Sequence, residues 1–224
     1  MINNRDSLKK NRLVRSLAFH FRSWRESRSY TTGSGHSIER KGVCVNSKIQ
    51  IRGGGFNNSV LLDKDSVLFK SRIKINGNYK RVILHAGAEL SGVELYIEDN
   101  NCTIEIGANT YIGHHSHLAC TEDGSTLKIG SMCMLSSYVQ IRTGDSHSIL
   151  DKDGSRINPA ASVTIDDHCW LGEGCKVMKG VTLGSDTVVS SGAIVTKSFG
   201  SNVLLGGIPA KVLKENINWD EKRL

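Results

Sequence analysis

Residues 163–197 read VTIDDHCWLGEGCKVMKGVTLGSDTVVSSGAIVTK, and one aliphatic residue recurs at every sixth position: Ile165, Leu171, Val177, Leu183, Val189 and Val195. Four of the six are followed by a small or turn-prone residue, namely Asp166, Gly172, Gly184 and Ser190. A period of six matches neither the 3.6 residues of a helix nor the alternation of a freestanding strand. It does match short strands joined by tight turns, with each aliphatic side chain facing a shared axis and the small residue letting the backbone turn. Three such hexads make one triangular coil of about eighteen residues, and coils stack at the strand spacing of roughly 4.8 Å. The pattern therefore predicts an all-β fold, a parallel β-helix of hexapeptide repeats.

The same beat runs upstream through Ile106-Gly107, Ile112-Gly113 and Leu118-Ala119, and again through Ile129-Gly130, Leu135-Ser136 and Ile141-Arg142. Residues 42–104 carry it less regularly, with Gly53-Gly54-Gly55 and Asn57-Asn58 as interruptions, as terminal coils of a repeat stack often do. The beat slips between Leu118 and Ile129, which predicts a short loop near 121–125. It is suspended for 24 residues between Ile141 and Ile165, which predicts a longer loop over 143–161. Loops ejected from a solenoid commonly carry its function. The chain thus divides into an N-terminal arm and linker (1–41), a β-helix domain (42–213) and a tail (214–224). Within the arm, Val14, Leu17, Phe21 and Trp24 fall at helical spacing, and the expectation is an amphipathic helix over 7–28.

Charge narrows the classes of partner. The net charge is +7, and residues 1–41 supply all of it with ten Lys or Arg against three acids. The remaining residues sum to zero, so a nucleic-acid role has no support in the repeat body. The basic arm with its apolar stripe suits two roles, a weak hold on an anionic membrane surface or packing against a neighbouring subunit. The six cysteines form no Cys-x-x-Cys pair, the apolar stretch near Leu13 to Phe21 is broken by Arg15, and no secretory cleavage site follows. These features predict reduced thiols and a cytoplasmic location, with a place at the inner membrane face if the arm anchors. Cys102 and Cys120, eighteen apart, are expected to stack.

Three segments carry chemistry: Thr143-Gly144-Asp145-Ser146-His147-Ser148-Ile149 in the long loop, Asp167-His168-Cys169-Trp170-Leu171-Gly172 after it, and the closing Gly206-Gly207-Ile208-Pro209-Ala210-Lys211. With these the chain resembles the left-handed β-helix acyltransferases that use acetyl-CoA. The likeness is to bacterial O-acetyltransferases of sugars and surface polysaccharides, with maltose and galactoside acetyltransferases as relatives, and covers about residues 104–214. It implies a left-handed coil, a homotrimer with active sites between subunits, acetyl-CoA as co-substrate, no required metal, and a sugar hydroxyl as acceptor in surface-glycan synthesis.

By that resemblance His147 is the catalytic base, which removes the hydroxyl proton as the oxygen attacks the thioester; a neutral imidazole suits this at near-neutral pH. Asp145 either orients the imidazole, contacts the acceptor or is an ordinary turn aspartate. Trp170 is either a wall of the acetyl-transfer site or packing. The cofactor segments map onto Ser191 and Gly192 for the pantetheine arm, and onto Thr196, Lys197, Lys211 and Lys214 near the adenosine phosphates, where cations match phosphate charge. The acceptor region maps onto Ser116 and His117, with Glu122 and Asp123 in the short loop as candidates for sugar hydroxyls. Two other readings stay open: N-acetylation of an amino sugar, and a metal-binding β-helix like the γ-class carbonic anhydrases. The second needs three converging histidines, and His85, His117 and His147 do not fall at an evident zinc spacing, while His114, His115 and His117 sit at neighbouring, diverging positions.

Overall fold

The computed structural model describes residues 27–222, and these form a three-sided parallel β-solenoid. Its walls are sheets of eight, seven and nine strands, and consecutive strands of the chain pass to consecutive walls. The first wall runs from Arg28–Thr31 through Lys48–Arg52, Arg72–Asn76, Glu94–Glu98, His117–Cys120, Gln140–Arg142 and Lys176–Val177 to Ile194–Val195. The second runs from Ser37–Arg40 to Thr182–Leu183, and the third from Val43–Val45 to Val203–Gly206, where the antiparallel strand Lys211–Glu215 covers its edge.

The aliphatic beat is the core. Ile165, Leu171, Val177, Leu183, Val189 and Val195 are each at most 1% exposed and belong to one continuous apolar column. Burying one such side chain is worth about 1.5–3 kcal/mol relative to leaving it in water. The corner between the third and first walls repeats a left-handed backbone conformation at Asn46, Lys70, Gly92, His115, Tyr138, Gly174 and Gly192. From Lys70 onward each of these amides donates to a carbonyl of the rung before, from Lys70 N to Val45 O at 2.9 Å up to Gly192 N to Glu173 O at 2.8 Å. Gly174 and Gly192 meet this demand without strain, whereas side chains at Lys70, His115 and Tyr138 tolerate it at some cost.

The sequence expectations need four adjustments. The helix expected over 7–28 lies outside the described residues except for its last two, and Arg28 opens a strand. The solenoid begins before residue 42, because Arg28–Thr31 and Ser37–Arg40 pair in register with Lys48–Ile51 and Ser59–Leu62; the serine- and glycine-rich stretch taken for a linker is a corner. At the other end, residues 214 and 215 complete the last strand and are not tail. Rung length also varies. Lys176 pairs with Ile194, eighteen positions on, but Lys48 pairs with Arg72 at 24 and Glu94 with His117 at 23, because upstream strands are longer. Cys120 therefore stacks over Ile97, not over Cys102, and the two thiols lie diagonally across a corner, each donating to backbone carbonyls, Cys102 Sγ to Glu122 O at 3.1 Å and Cys120 Sγ to Ser125 O at 3.2 Å. A second pair, Cys133 and Cys169, does stack, with Cys169 N donating to Cys133 Sγ at 3.4 Å. All six cysteines are buried.

Candidate active site

The long loop leaves the first wall at Thr143 and returns to the second at Val163. Its neck is closed by Ala161 N donating to Thr143 O at 2.8 Å. The Thr143 hydroxyl accepts from Thr121 N at 2.9 Å and donates to Thr121 O at 3.1 Å, which ties the neck to the short loop. Glycine is required at 144, since a Cβ there would lie 2.5 Å from the Thr121 hydroxyl. The loops expected near 121–125 and 143–161 are thus present and joined at the base.

Beyond the neck, Asn158 organises the loop. Its amide nitrogen donates to Asp145 Oδ2 and to the His147 carbonyl, both at 2.9 Å, and its amide oxygen accepts from Ile149 N at 2.7 Å. Lys179, from the next rung, donates to Asp145 Oδ2 at 2.6 Å and to Asn158 O at 2.9 Å. The Lys179 ammonium, followed by the Asn158 amide, holds the Asp145 carboxyl below the usual aspartate range. Asp145 therefore braces the loop against the rung above. Its recorded bonds go to Lys179 and Asn158, and among the described residues the His147 ring has no hydrogen-bond or ion-pair partner. The ring is exposed, on a backbone fixed by Asn158.

The short loop is braced too. Glu122 forms a two-pronged pair with Arg156, Nη1 to Oε2 at 2.9 Å and Nη2 to Oε1 at 2.5 Å, and accepts from Ala160 N at 3.2 Å. The guanidinium pulls the Glu122 carboxyl below its ordinary range. Asp123 accepts from Asn100 N at 2.8 Å and continues a ladder in which Asn100 caps Asn78 N and Asn78 caps Phe56 N. Both acids thus have internal partners where a sugar contact was expected. Ser116 is only 1% exposed; its hydroxyl donates to Ser136 O and accepts from Val139 N, which makes it an interior pin and not an acceptor contact. His117 stands on the first wall with Nε2 at 3.6 Å from Glu94, and burial lowers its pKa. The three neighbouring histidines diverge: His114 meets Ser91, His115 stacks on Tyr138, and His117 faces Glu94.

Trp170 projects outward from the third wall, 41% exposed, between Met134 and Val188 in register. The His147 loop springs from the corner between the first and second walls, so one chain does not bring the two together. Trp219, unremarked in the sequence reading, stacks on the His168 ring at 4.5 Å, donates to His168 O at 2.8 Å and tilts against Trp170 at 5.9 Å. The C-terminal tail is docked beside Trp170 in this way. Asn158, Arg156 and Lys179 were also missed. Only Asn158, as the Asn-Pro turn dipeptide with Pro159, carried a local signal.

The cofactor candidates occupy the C-terminal rungs. Gly174 and Gly192 stack on one corner, and nothing lies within 4 Å of where a Cβ would project from either. Backbone is bare there, as an extended pantetheine arm requires, and Ser191 is exposed beside it. Thr196 and Lys197 follow the last strand of the first wall, with the Lys197 amine 5.4 Å from the Phe199 ring centroid. Lys211 and Lys214 lie on the edge strand of the third wall, both exposed. The chemistry fits a phosphate-bearing thioester, with exposed amines on both sides of a side-chain-free corner.

A solenoid built on hexads, with a histidine loop ejected from it, defines an acyltransferase of the left-handed β-helix class. The bacterial transferase hexapeptide model (six repeats) matches residues 162–197. The polysialic acid O-acetyltransferase of Neisseria meningitidis is 32% identical over 192 residues, 85% of this chain and 88% of that protein. The solved structure of the polysialic acid O-acetyltransferase OatWY superposes with a TM-score of 0.83 at 29% identity, covering 88% of this chain and 93% of that one. The polySia-specific acetyltransferase NeuO gives 0.81 at 28%, covering 88% and 90%. The chain belongs to the hexapeptide-repeat family of acetyltransferases.

Proposed function

We propose that the protein moves an acetyl group from acetyl-CoA to a hydroxyl of a sugar in a surface glycan or its precursor, with His147 as general base. The observation that carries the reading is the division of labour in the long loop. Asp145, Asn158 and Lys179 bond to one another and fix the His147 backbone, leaving the imidazole exposed and unpartnered. A base held this way can accept the hydroxyl proton as the oxygen attacks the thioester carbonyl, then return it to the departing CoA thiolate. Relatives that acetylate polysialic acid support a sugar acceptor and an ester product.

The active enzyme is a homotrimer in this reading. The third wall turns Val67, Tyr111, Met134 and Trp170 outward in one column, interrupted by Glu89, that a neighbouring subunit would cover. A neighbour seated there would bring its own His147 loop toward Trp170, closing a site that one chain leaves open. Location in the cytoplasm, and at the membrane face if residues 1–26 anchor there, remains part of the proposal.

The test is release of CoA thiol from acetyl-CoA with a panel of neutral sugars, amino sugars and sialic acid oligomers. Alkali-labile acetyl on the product identifies O-acetylation, and alkali-stable acetyl identifies the N-acetyl alternative. No thiol release above hydrolysis with any sugar would refute the reading.

A further inference from the structure

The corner between the second and third walls carries a left-handed residue on each of the last three rungs, His168, Asp186 and Asn202. Each backbone amide there donates to the rung before, His168 N to Ser131 O at 2.8 Å, Asp186 N to Asp167 O at 3.2 Å and Asn202 N to Ser185 O at 3.0 Å. The side chains are committed as well. Asp186 Oδ1 lies 2.8 Å from His168 Nδ1, which joins two rungs and fixes the plane of the imidazole. Asn202 clamps the C-terminal tail, since Ile217 N donates to Asn202 O at 3.0 Å and Asn202 Nδ2 donates to Ile217 O at 3.1 Å.

From that clamp the tail runs back down the stack to the rung of Trp170, two below the strand Val203–Gly206. Trp219 lies there flat on the His168 ring, with centroids 4.5 Å apart and planes 10° apart, and its Nε1 donates to His168 O at 2.8 Å. Both a face and the N–H of the indole are thus held by one residue. Its ring also meets Trp170, at 5.9 Å and 42°. The Trp170 backbone is pinned by Trp170 N donating to Thr187 O at 2.9 Å, but that leaves the choice of rotamer open. Among the described residues the Trp170 indole has no hydrogen bond, so packing orients it. Val188, its outward neighbour in register, is only 9% exposed, so the side of Trp170 toward the C-terminal rungs is covered, while Trp170 itself stays 41% exposed.

We infer that Trp219 is a positioning residue for acetyl transfer: docked on His168, it holds the Trp170 indole in the orientation that meets a neighbouring subunit's histidine loop. The inference rests on the reading above, in which Trp170 lines the transfer site, and adds the C-terminal tail to the working parts. Support passes stepwise, from Asp186 to the His168 ring, from that ring to Trp219, and from Trp219 to Trp170. Capping the last rung does not explain this arrangement, because the strand Lys211–Glu215 already covers that edge. From Lys211 to Lys222 every residue is exposed except Ile217 and Trp219, the two points where the tail is fastened. A turned indole would shift its outer edge by more than the roughly 1 Å that can slow an enzyme about a hundredfold.

The test uses the full chain and thiol release from acetyl-CoA with a sialic acid trisaccharide as acceptor. Trp219→Ala should lower kcat about five- to tenfold and change the Michaelis constant for acetyl-CoA less than about twofold. Trp219→Phe, which keeps a ring on His168, should recover most of that loss, and His168→Ala should reproduce it. The decisive readout is a double-mutant cycle. In a Trp170→Ala chain, adding Trp219→Ala should lower kcat by less than about twofold, because no indole is left to orient. A tail that merely stabilises the fold would give its full loss in both backgrounds, and that result would overturn the positioning role. Circular dichroism reads the contact itself: the two indoles should give an exciton couplet that Trp24→Phe keeps and Trp219→Phe abolishes. Absence of the couplet in the wild-type chain would also overturn it. Full kcat in Trp219→Ala, or in Trp170→Ala, while the wild-type chain transfers acetyl would remove the positioning role and leave the proposed function standing. No thiol release by the wild-type chain with any sugar, the couplet being present, would instead bring down the proposed function and the positioning role with it.

Discussion

The imidazole of His147 hangs on a loop whose Asp145 and Asn158 are already bonded to each other and to Lys179, so its removal should subtract proton transfer and little else. His147→Ala should lower kcat by about 10²–10⁴ with the Michaelis constant for acetyl-CoA nearly unchanged. Steady-state kinetics check this, and a variant keeping a third of wild-type turnover would show that the base lies elsewhere. The brace beneath it is sensitive to acid. Asp145 and Glu122 have folded-state pKa values depressed first by their hydrogen bonds to Lys179 and Arg156. A depressed carboxylate contributes stability that is full above its unfolded value near 4 and is lost as pH falls through the lower folded value. Hydrogen exchange over residues 143–161 should therefore rise below about pH 4, before the core exchanges. Lys80 is a counter-case. It is fully buried, its amine has no hydrogen-bond partner among the described residues, and burial lowers its pKa. The unfolded state then binds more protons between the folded and unfolded pKa values, so the penalty is full below the folded value and fades as pH rises toward the unfolded one near 10.4. Lys80→Met should raise the melting temperature at pH 7, and a lower one would mean that the nearby Glu98, Asp99 and Asp123 compensate the charge.

Individual strands were legible because each hexad is a local statement: an aliphatic residue faces in, a small one turns, and no distant contact is needed to read it. The stacking of rungs was less legible, since the length of the strands decides whether a rung takes 18 or 24 positions, and the ends of short strands carry weak signals. Cys102 and Cys120 show the consequence, as a correct period applied to the wrong rung put a vertical stack where a diagonal contact exists. The loop brace was unreadable because Lys179 and Asp145 are 34 positions apart. At this scale the buried thiols give a direct measurement. Burial raises the Cys175 pKa to about 12, and the bond to Cys102 followed by burial raises that of Cys120 further. A raised pKa keeps these two thiols protonated and slow to react, whereas Cys102 and Cys133, lowered by Cys120 and Cys169, are protected by burial. Native protein at pH 8 should resist alkylation at all six cysteines, whereas denatured, unreduced protein should label at all six. A mass shift showing two unlabelled residues would reveal a disulfide between Cys102 and Cys120 or between Cys133 and Cys169.

At the scale of the molecule, the separation of His147 and Trp170 onto different corners becomes an argument about assembly. Each chain carries both groups but presents them in different directions, and a rotationally symmetric ring of three would place one subunit's histidine loop against its neighbour's tryptophan. The arrangement predicts complementation between inactive chains. His147→Ala removes the base, and Trp170→Ala, expected to cost at least about tenfold, removes the opposing wall. Each variant alone should be nearly inactive as a trimer. Co-expressed in equal amounts, the two chains assort at random, and about one site in four should pair an intact histidine loop with an intact tryptophan. Activity near a quarter of wild type in the mixture would mark a shared site. Tyr111→Glu with Met134→Glu, on the outward column of the third wall, supplies the control: light scattering should show monomers, and the complementing activity should vanish with the trimer. If the mixed chains regain nothing while remaining trimeric, Trp170 does not face His147 across an interface, and each chain must complete its site alone.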